Sequence, residues 1–351
     1  VGASFPRGPS PMFTPRVGWG GGNSEIRNPN SEIWDPPPLR FPAGGEGGRE
    51  FKIKNSKLRI KNSTTGTAPP FRRMTTMRSW VMICAFTLAA FAAAGEVPPL
   101  RAPVGEMVEN IACASNPTQT YTLYLPKDFN TTRRWPVLLI FDPRGRSVLA
   151  AELFREAADA YGWIVVSSDN TRSDGPMEPN VVALQALWPE VHSRLPARFD
   201  RIYAAGLSGG ASVAYVLSRS TREVAGIVAC GGRYLPDDLE DSPAPIFSIA
   251  GNTDFNYREM HQVDEYLSDR GSPHRLVIFD GPHTWMPPAV ANDAVEWFEL
   301  LAMKSGLEDP DPEIVSFLYA GGVAAAEALE ADGQVVEAER HYREMLSTFA
   351  G

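Results

Sequence analysis

Between residues 118 and 303 the chain alternates short, continuously apolar runs with longer ones whose apolar positions recur every three to four residues. The short runs are 136–141 (Pro-Val-Leu-Leu-Ile-Phe), 163–168, 202–205, 226–230, 245–251 and 275–279. Each is rich in β-branched and aromatic residues and predicts a strand buried on both faces. Residues 150–161, 181–195, 211–218, 256–267 and 289–303 carry the longer period and predict helices. Residues 118–125 differ: Thr-Gln-Thr-Tyr-Thr-Leu-Tyr-Leu alternates polar and apolar, which predicts a half-buried edge strand. Strands alternating with helices at this spacing predict an α/β fold, a mostly parallel sheet covered on both faces. In such sheets ligands gather at the carboxyl ends of the strands.

The flanks follow other patterns. Residues 1–73 are rich in Gly, Pro, Asn and Ser, and they hold two pairs of seven-residue repeats, starting at Asn23 and Asn30 and at Lys52 and Arg59. With no apolar face to bury, this stretch is expected to be a disordered tail or an over-long gene reading that precedes a start at Met74 or Met77. Arg78, the apolar run 80–94 and the small residues Ala92, Ala93 and Ala94 have the three regions of a signal peptide, assigned to 74–95. A signal anchor is the alternative. Cleavage would leave a secreted or periplasmic protein with two cysteines, Cys113 and Cys230, whose pairing the sequence leaves open. At the other end, 306–312 reads as a polar linker within the segment 306–351. Residues 313–331 and 334–349 then read as two helices joined at Asp332 and Gly333, a C-terminal hairpin.

Composition narrows the partners. The chain has 351 residues, is 43% hydrophobic and carries a formal charge of −9. Residues 1–95 are basic on balance, so 96–351 hold all of the acidic excess. An acidic domain of this kind is not expected to bind nucleic acid or an anionic membrane surface. Neither cysteine sits in a metal-ligand cluster, and no cofactor or metal is expected.

The candidate chemistry lies in four loops that follow predicted strands. Gly206-Leu-Ser-Gly-Gly stands between the strand at 202–205 and the helix at 211–218. Glycines two before and two after Ser208 fit a tight strand-to-helix turn that projects the serine at a helix N-terminus. Asp254 follows the strand 245–251, His283 follows 275–279, and Asp142-Pro-Arg-Gly follows 136–141. Ser208, Asp254 and His283, in that chain order and each at a strand's carboxyl end, match a nucleophile, an orienting acid and a general base. Asp264 and Asp280 are the spare acids. Of the five histidines, His192 and His341 read as surface residues of helices, His261 lies within a helix, and His274 precedes its strand. An oxyanion would need two backbone donors. Gly209 N–H is one, and because Pro143 has no N–H, Arg144 is taken as the other.

With these residues in place, 118–303 resembles the α/β-hydrolase superfamily and, within it, secreted esterases of the polyhydroxybutyrate-depolymerase type. The resemblance rests on Tyr-Leu-Pro at 124–126, Phe-Asp-Pro-Arg-Gly at 141–145, Gly-Leu-Ser-Gly-Gly at 206–210, Gly-Asn-Thr-Asp-Phe-Asn-Tyr at 251–257 and Phe-Asp-Gly-Pro-His-Thr-Trp at 279–285. It implies a three-layer α/β-hydrolase sandwich over 96–305 and a serine hydrolase acting on carboxylic esters; with no large lid insertion evident in the sequence, an open site able to admit a bulky or polymeric ester is expected. Such esterases usually carry His-Gly where this chain has Asp142 and Pro143. Asp142, Tyr257 and Trp285 are candidates for the substrate pocket. A peptidase on the same triad, and a non-catalytic binding protein assembled through its C-terminal segment, remain open. Residues 329–346 resemble the turn and second helix of a tetratricopeptide repeat, with Gly333 at the turn, Ala338 in close packing and Tyr342 in the core. That resemblance makes 313–351 a candidate surface for a protein partner.

Overall fold

A computed structural model of the chain describes residues 24–26, 100–173, 175–232 and 244–349. The readings of 1–73 and 74–95 lie outside these residues, except at Ser24–Ile26 (β1), which pairs antiparallel with Leu100–Ala102 (β2). Eight further strands form one sheet: Met107–Ala112 (β3), Thr120–Tyr124 (β4), Trp135–Phe141 (β5), Ile164–Ser168 (β6), Ala197–Leu207 (β7), Val224–Cys230 (β8), Ile246–Gly251 (β9) and His274–Phe279 (β10). Their order is β10-β9-β8-β7-β5-β6-β4-β3. The strands from β10 through β6 are parallel, and β4 and β3 each run antiparallel to the strand before them in that order. From β5 the chain moves outward to β6 and then returns to β7 on the other side of β5. The carboxyl ends of β5 and β7 therefore flank the point where the winding reverses, which is where such sheets open a crevice.

Helices cover both faces. Glu178–Arg194 (α3), Gly209–Ser220 (α4) and Tyr257–Asp269 (α5) pack on one side, while Ser147–Glu152 (α1), Arg155–Tyr161 (α2) and Pro288–Lys304 (α6) pack on the other. The two-residue period of a strand sorts the core. Val137, Leu139 and Phe141 of β5 join the first cluster, while Leu138 and Ile140 join the second. This is the three-layer α/β sandwich around a mostly parallel sheet that the sequence predicts.

Several elements differ from expectation. Residues 118–125 do not form the sheet edge, because β3 pairs outside β4. The polar residues of β4 are buried and satisfied instead: Thr122 Oγ1 lies 2.7 Å from Ser147 Oγ, and Tyr121 donates to Glu190 Oε2 at 3.0 Å. β3 itself shows no clean alternation, since its register shifts between Val108 and Ile111 and Asn110 adopts φ 55°. The helix expected at 150–161 is broken into α1 and α2 at Phe154, whose ring turns into the core. His192, expected at the surface, is buried, with Nε2 2.7 Å from Glu223 Oε2.

The C-terminal hairpin forms as Pro312–Ala331 (α7) and Val335–Phe349 (α8), with Gly333 in the left-handed region between them. Ala338 and Met345 are buried against α7, but Tyr342 is only half-buried and so does not fill the core place expected of it. The hairpin docks on the sheet domain through Arg275 Nε to Glu344 Oε2 at 3.1 Å and Lys304 Nζ to the Ser347 carbonyl at 2.9 Å. By length and composition α7 is apolar enough to cross a membrane.

A buried charge network fixes α6 to the central strand. Arg201 of β7 donates to Glu299 Oε1 at 2.5 Å and to Glu308 Oε2 at 2.8 Å, and the Trp163 indole also donates to Glu299 Oε1 at 2.5 Å. Burial raises the Glu299 carboxyl, opposed chiefly by Arg201. Removing the cation alone would leave that carboxyl without its main partner. Arg201→Leu is expected to cost about 3–5 kcal/mol, the usual loss on breaking a buried pair. Urea unfolding midpoints of the two proteins measure the difference.

Candidate active site

Ser208 directly follows β7 and precedes the first turn of α4 with φ 54° and ψ −120°, one of two non-glycine residues at positive φ among those described. Such a conformation costs about 1–3 kcal/mol and persists only where the surroundings enforce it. Enforcement comes from the Ser208 N–H, which donates to the Cys230 carbonyl at 2.8 Å, and from close passage of strand and helix. A Cβ on Gly206 would collide with the Gly210 carbonyl, so the crossing requires glycine. No side chain caps α4, and Gly209 stands at its N-terminus, where the helix dipole favours negative charge.

Asp254 and His283 meet beside this turn. The imidazole Nδ1 lies 2.9 Å from both carboxylate oxygens of Asp254. Donation from Nδ1 fixes the tautomer and leaves Nε2 as the acceptor. Asp254 is buried, and its Oδ1 also accepts the Asn256 N–H at 2.8 Å, so it shapes the entry to α5 as well as holding the histidine. The spare acids are elsewhere: Asp264 pairs with His274, and Asp280 accepts from Asn252. Two bonds to the Gly281 carbonyl, from Thr253 N–H at 3.1 Å and its Oγ1 at 2.9 Å, brace the Asp254 loop against the His283 loop.

The bend after β8 joins the pair to the serine. Cys230 takes the Ser208 N–H, and the next residue, Gly231, has φ +52°. A Cβ on Gly231 would stand 2.8 Å from Asp254 Oδ2 and 2.9 Å from His283 Nδ1. Three strand ends thus bring Ser208, Asp254 and His283 to one bend. Among the described residues, Cys113 and Cys230 are buried and free; burial pushes the Cys230 thiol up to about 12, and its sulfur contacts the Thr284 carbonyl at 3.3 Å.

The loop after β5 departs from the sequence reading. Asp142 is fully buried and accepts five hydrogen bonds, so it is not a pocket residue. Oδ1 takes the Arg144 N–H at 2.8 Å, the Arg146 N–H at 3.1 Å and Arg146 Nε at 3.0 Å. Oδ2 takes Arg146 Nη2 and the Trp285 indole N–H, each at 2.8 Å. The Arg144 N–H is therefore engaged inside the loop rather than offered to an oxyanion. Trp285 is likewise a core residue whose one polar atom is satisfied by Asp142. Tyr257 lies on α5 with its ring 4.6 Å from that of His261, and it borders a groove of about 680 Å³ shared with α8. Asp142 and Trp285 are thus turned inward onto each other and do not line a pocket.

Two further residues stand close by. Ser173 donates its N–H to the Pro143 carbonyl at 2.9 Å and packs where a Cβ on Gly209 would be. The Phe255 ring lies 4.1 Å from the His283 imidazole and is 74% exposed. Its place directly after the acid that orients the histidine was the signal available. Among the described residues no cluster of His, Cys, Asp and Glu is arranged to hold a metal ion.

Burial alone would raise the Asp142 carboxyl, but the hydrogen bonds from Arg146, Trp285 and two backbone N–H groups outweigh it and hold the pKa below the ordinary value. A depressed carboxyl stabilises the fold fully above its unfolded pKa of about 3.9, and that stability is lost as pH falls through the folded value. Asp142→Asn is expected to cost about 2–4 kcal/mol at pH 7, because it removes a charge and strands buried donors. The gap from the wild type should narrow as pH drops below about 4. Denaturant titrations at pH 7 and pH 3 measure both effects; an equal gap at the two would separate the carboxylate's charge from its role.

No protein-family model matches the chain, and no curated protein matches it. Solved structures with a similar arrangement include a ferulic acid esterase, 17% identical with a TM-score of 0.44, over 55% of this chain and 96% of that one. A hyperthermophilic esterase from the archaeon Pyrobaculum calidifontis is 17% identical with a TM-score of 0.44, over 57% of this chain and 87% of that one. The S-formylglutathione hydrolase FrmB from Staphylococcus aureus is 15% identical with a TM-score of 0.44, over 57% of this chain and 99% of that one.

Proposed function

We propose that the chain is a serine hydrolase that cleaves carboxylic esters through an acyl-enzyme. The observation that carries this reading is the Asp254–His283 pair, bonded at 2.9 Å beside a serine held at φ 54°. A neutral serine hydroxyl is a weak nucleophile, so His283 Nε2 takes its proton as Ser208 Oγ attacks the ester carbonyl. Asp254 stabilises the imidazolium that results. The tetrahedral oxyanion is held at the N-terminus of α4, with Gly209 N–H as donor. Collapse expels the alcohol with the proton returned from His283. Water then repeats the sequence on the acyl-enzyme and releases the acid.

An ester rather than an amide is proposed because an alkoxide is the easier leaving group, and because the resemblance of 118–303 is to esterases. Wild-type protein is expected to react covalently with a fluorophosphonate probe and to hydrolyse p-nitrophenyl esters. Ser208→Ala should abolish the adduct and lower kcat by about 10⁴-fold or more, and Asp254→Asn should lower it by about 10⁴-fold. Intact-mass spectra and initial rates read these. Undiminished labelling of Ser208→Ala would remove Ser208 as the nucleophile.

A further inference from the structure

Single exposed apolar side chains are ordinary on protein surfaces and by themselves mean nothing. Phe255 is different because of what its ring lies on. It leaves 74% of its surface to solvent and sets its ring 4.1 Å from the His283 imidazole, at 39° between the planes. Asn252 and Thr253, three and two residues before it, are held by Asp280 and the Gly281 carbonyl, and Asp254 between them and Phe255 is buried. The loop is thus braced by these bonds, and the Phe255 ring stands out into solvent beyond the buried Asp254.

Resting on the serine-hydrolase reading, we propose that Phe255 is a specificity-determining residue whose ring receives the alcohol part of the substrate, so that the preferred ester carries an apolar, aromatic-sized leaving group. Because Nδ1 faces Asp254, the leaving oxygen must take its proton from Nε2. General-acid transfer needs that oxygen within about 3 Å of Nε2. A ring whose centroid is 4.1 Å from the imidazole then stands within van der Waals reach of the group borne by that oxygen. An aromatic alcohol would stack or pack edge-to-face on Phe255 and bury surface now exposed, whereas methyl or ethyl groups would scarcely reach it.

The test keeps the acyl group constant and varies the alcohol. Benzyl acetate and ethyl acetate have alcohols of similar acidity, so their ratio of kcat/KM, followed by pH-stat, reports contact rather than leaving-group chemistry. Wild type is expected to favour benzyl acetate. Phe255→Ala should lower that preference about five- to tenfold, the worth of one aromatic pair contact, and Phe255→Trp should retain it. Since the side chain is exposed, thermal unfolding of Phe255→Ala should match wild type. An unchanged ratio overturns the proposal. So does an equal fall for both esters with a shifted pH profile, which would mean that Phe255 acts on His283 alone. Failure of the underlying reading would look different: wild type would neither react with a fluorophosphonate nor hydrolyse either ester.

Discussion

The buried carboxylate of Asp142 is the interaction on which the rest of the site depends. Taking a charge out of water costs several kcal/mol unless partners replace its hydration. Here they are the Arg146 guanidinium, two backbone N–H groups and the Trp285 indole. These partners come from different parts of the chain, so satisfying one charge draws the loop after β5, the entry to α1 and the loop after β10 into one register. The Asp142 and Pro143 carbonyls extend the link, accepting from Thr171 Oγ1 and Ser173 N–H, and Ser173 in turn packs on Gly209 at the head of α4. A single desolvated ion thus transmits position from the histidine loop to the serine turn.

Backbone strain at Ser208 depends on this rigidity. The residue keeps a left-handed φ because β7, β8 and α4 leave no other path: its N–H is bonded to Cys230, and its flanking glycines lie against main chain. A looser frame would let the turn relax toward an ordinary cap and withdraw the hydroxyl. The parallel sheet supplies that stiffness, since β5, β7 and β8 are buried along nearly their whole length and paired on both edges.

The sequence made the strands legible wherever they were continuously apolar, because burial on both faces demands that composition. It also singled out Ser208, Asp254 and His283 as candidates, since each lies just past such a run. What it concealed is instructive. β4 reads as an edge because Thr122 is polar, yet Thr122 spends its hydroxyl on Ser147 inside the sheet, a partner 25 residues away. Asp142 and Trp285 read as pocket residues because each stands near a site residue in sequence. Their bond to each other spans 143 residues and turns both inward, which no local pattern encodes. Phe255 was present in the motif, but beyond its place directly after Asp254 nothing local marks it, because a ring's exposure and what it stacks on are tertiary facts.

Asp142 and Asp254 are both buried carboxylates at strand ends, and the number of donors each receives separates their duties. Asp142 takes five, among them a guanidinium, so its charge is neutralised in place and it has nothing to offer a neighbouring imidazole. Among the described residues, Asp254 takes one backbone N–H besides His283 and has no cation against it. Its negative charge is therefore available to the imidazole when that ring becomes charged, and low local polarity strengthens the effect. The loop after β10 serves both carboxylates, giving His283 to one and, two residues later, Trp285 to the other. Holding the loop by an indole on a saturated ion leaves the second carboxylate free to act on the histidine, and for that reason an acid at position 142 is compatible with the base proposed at 283.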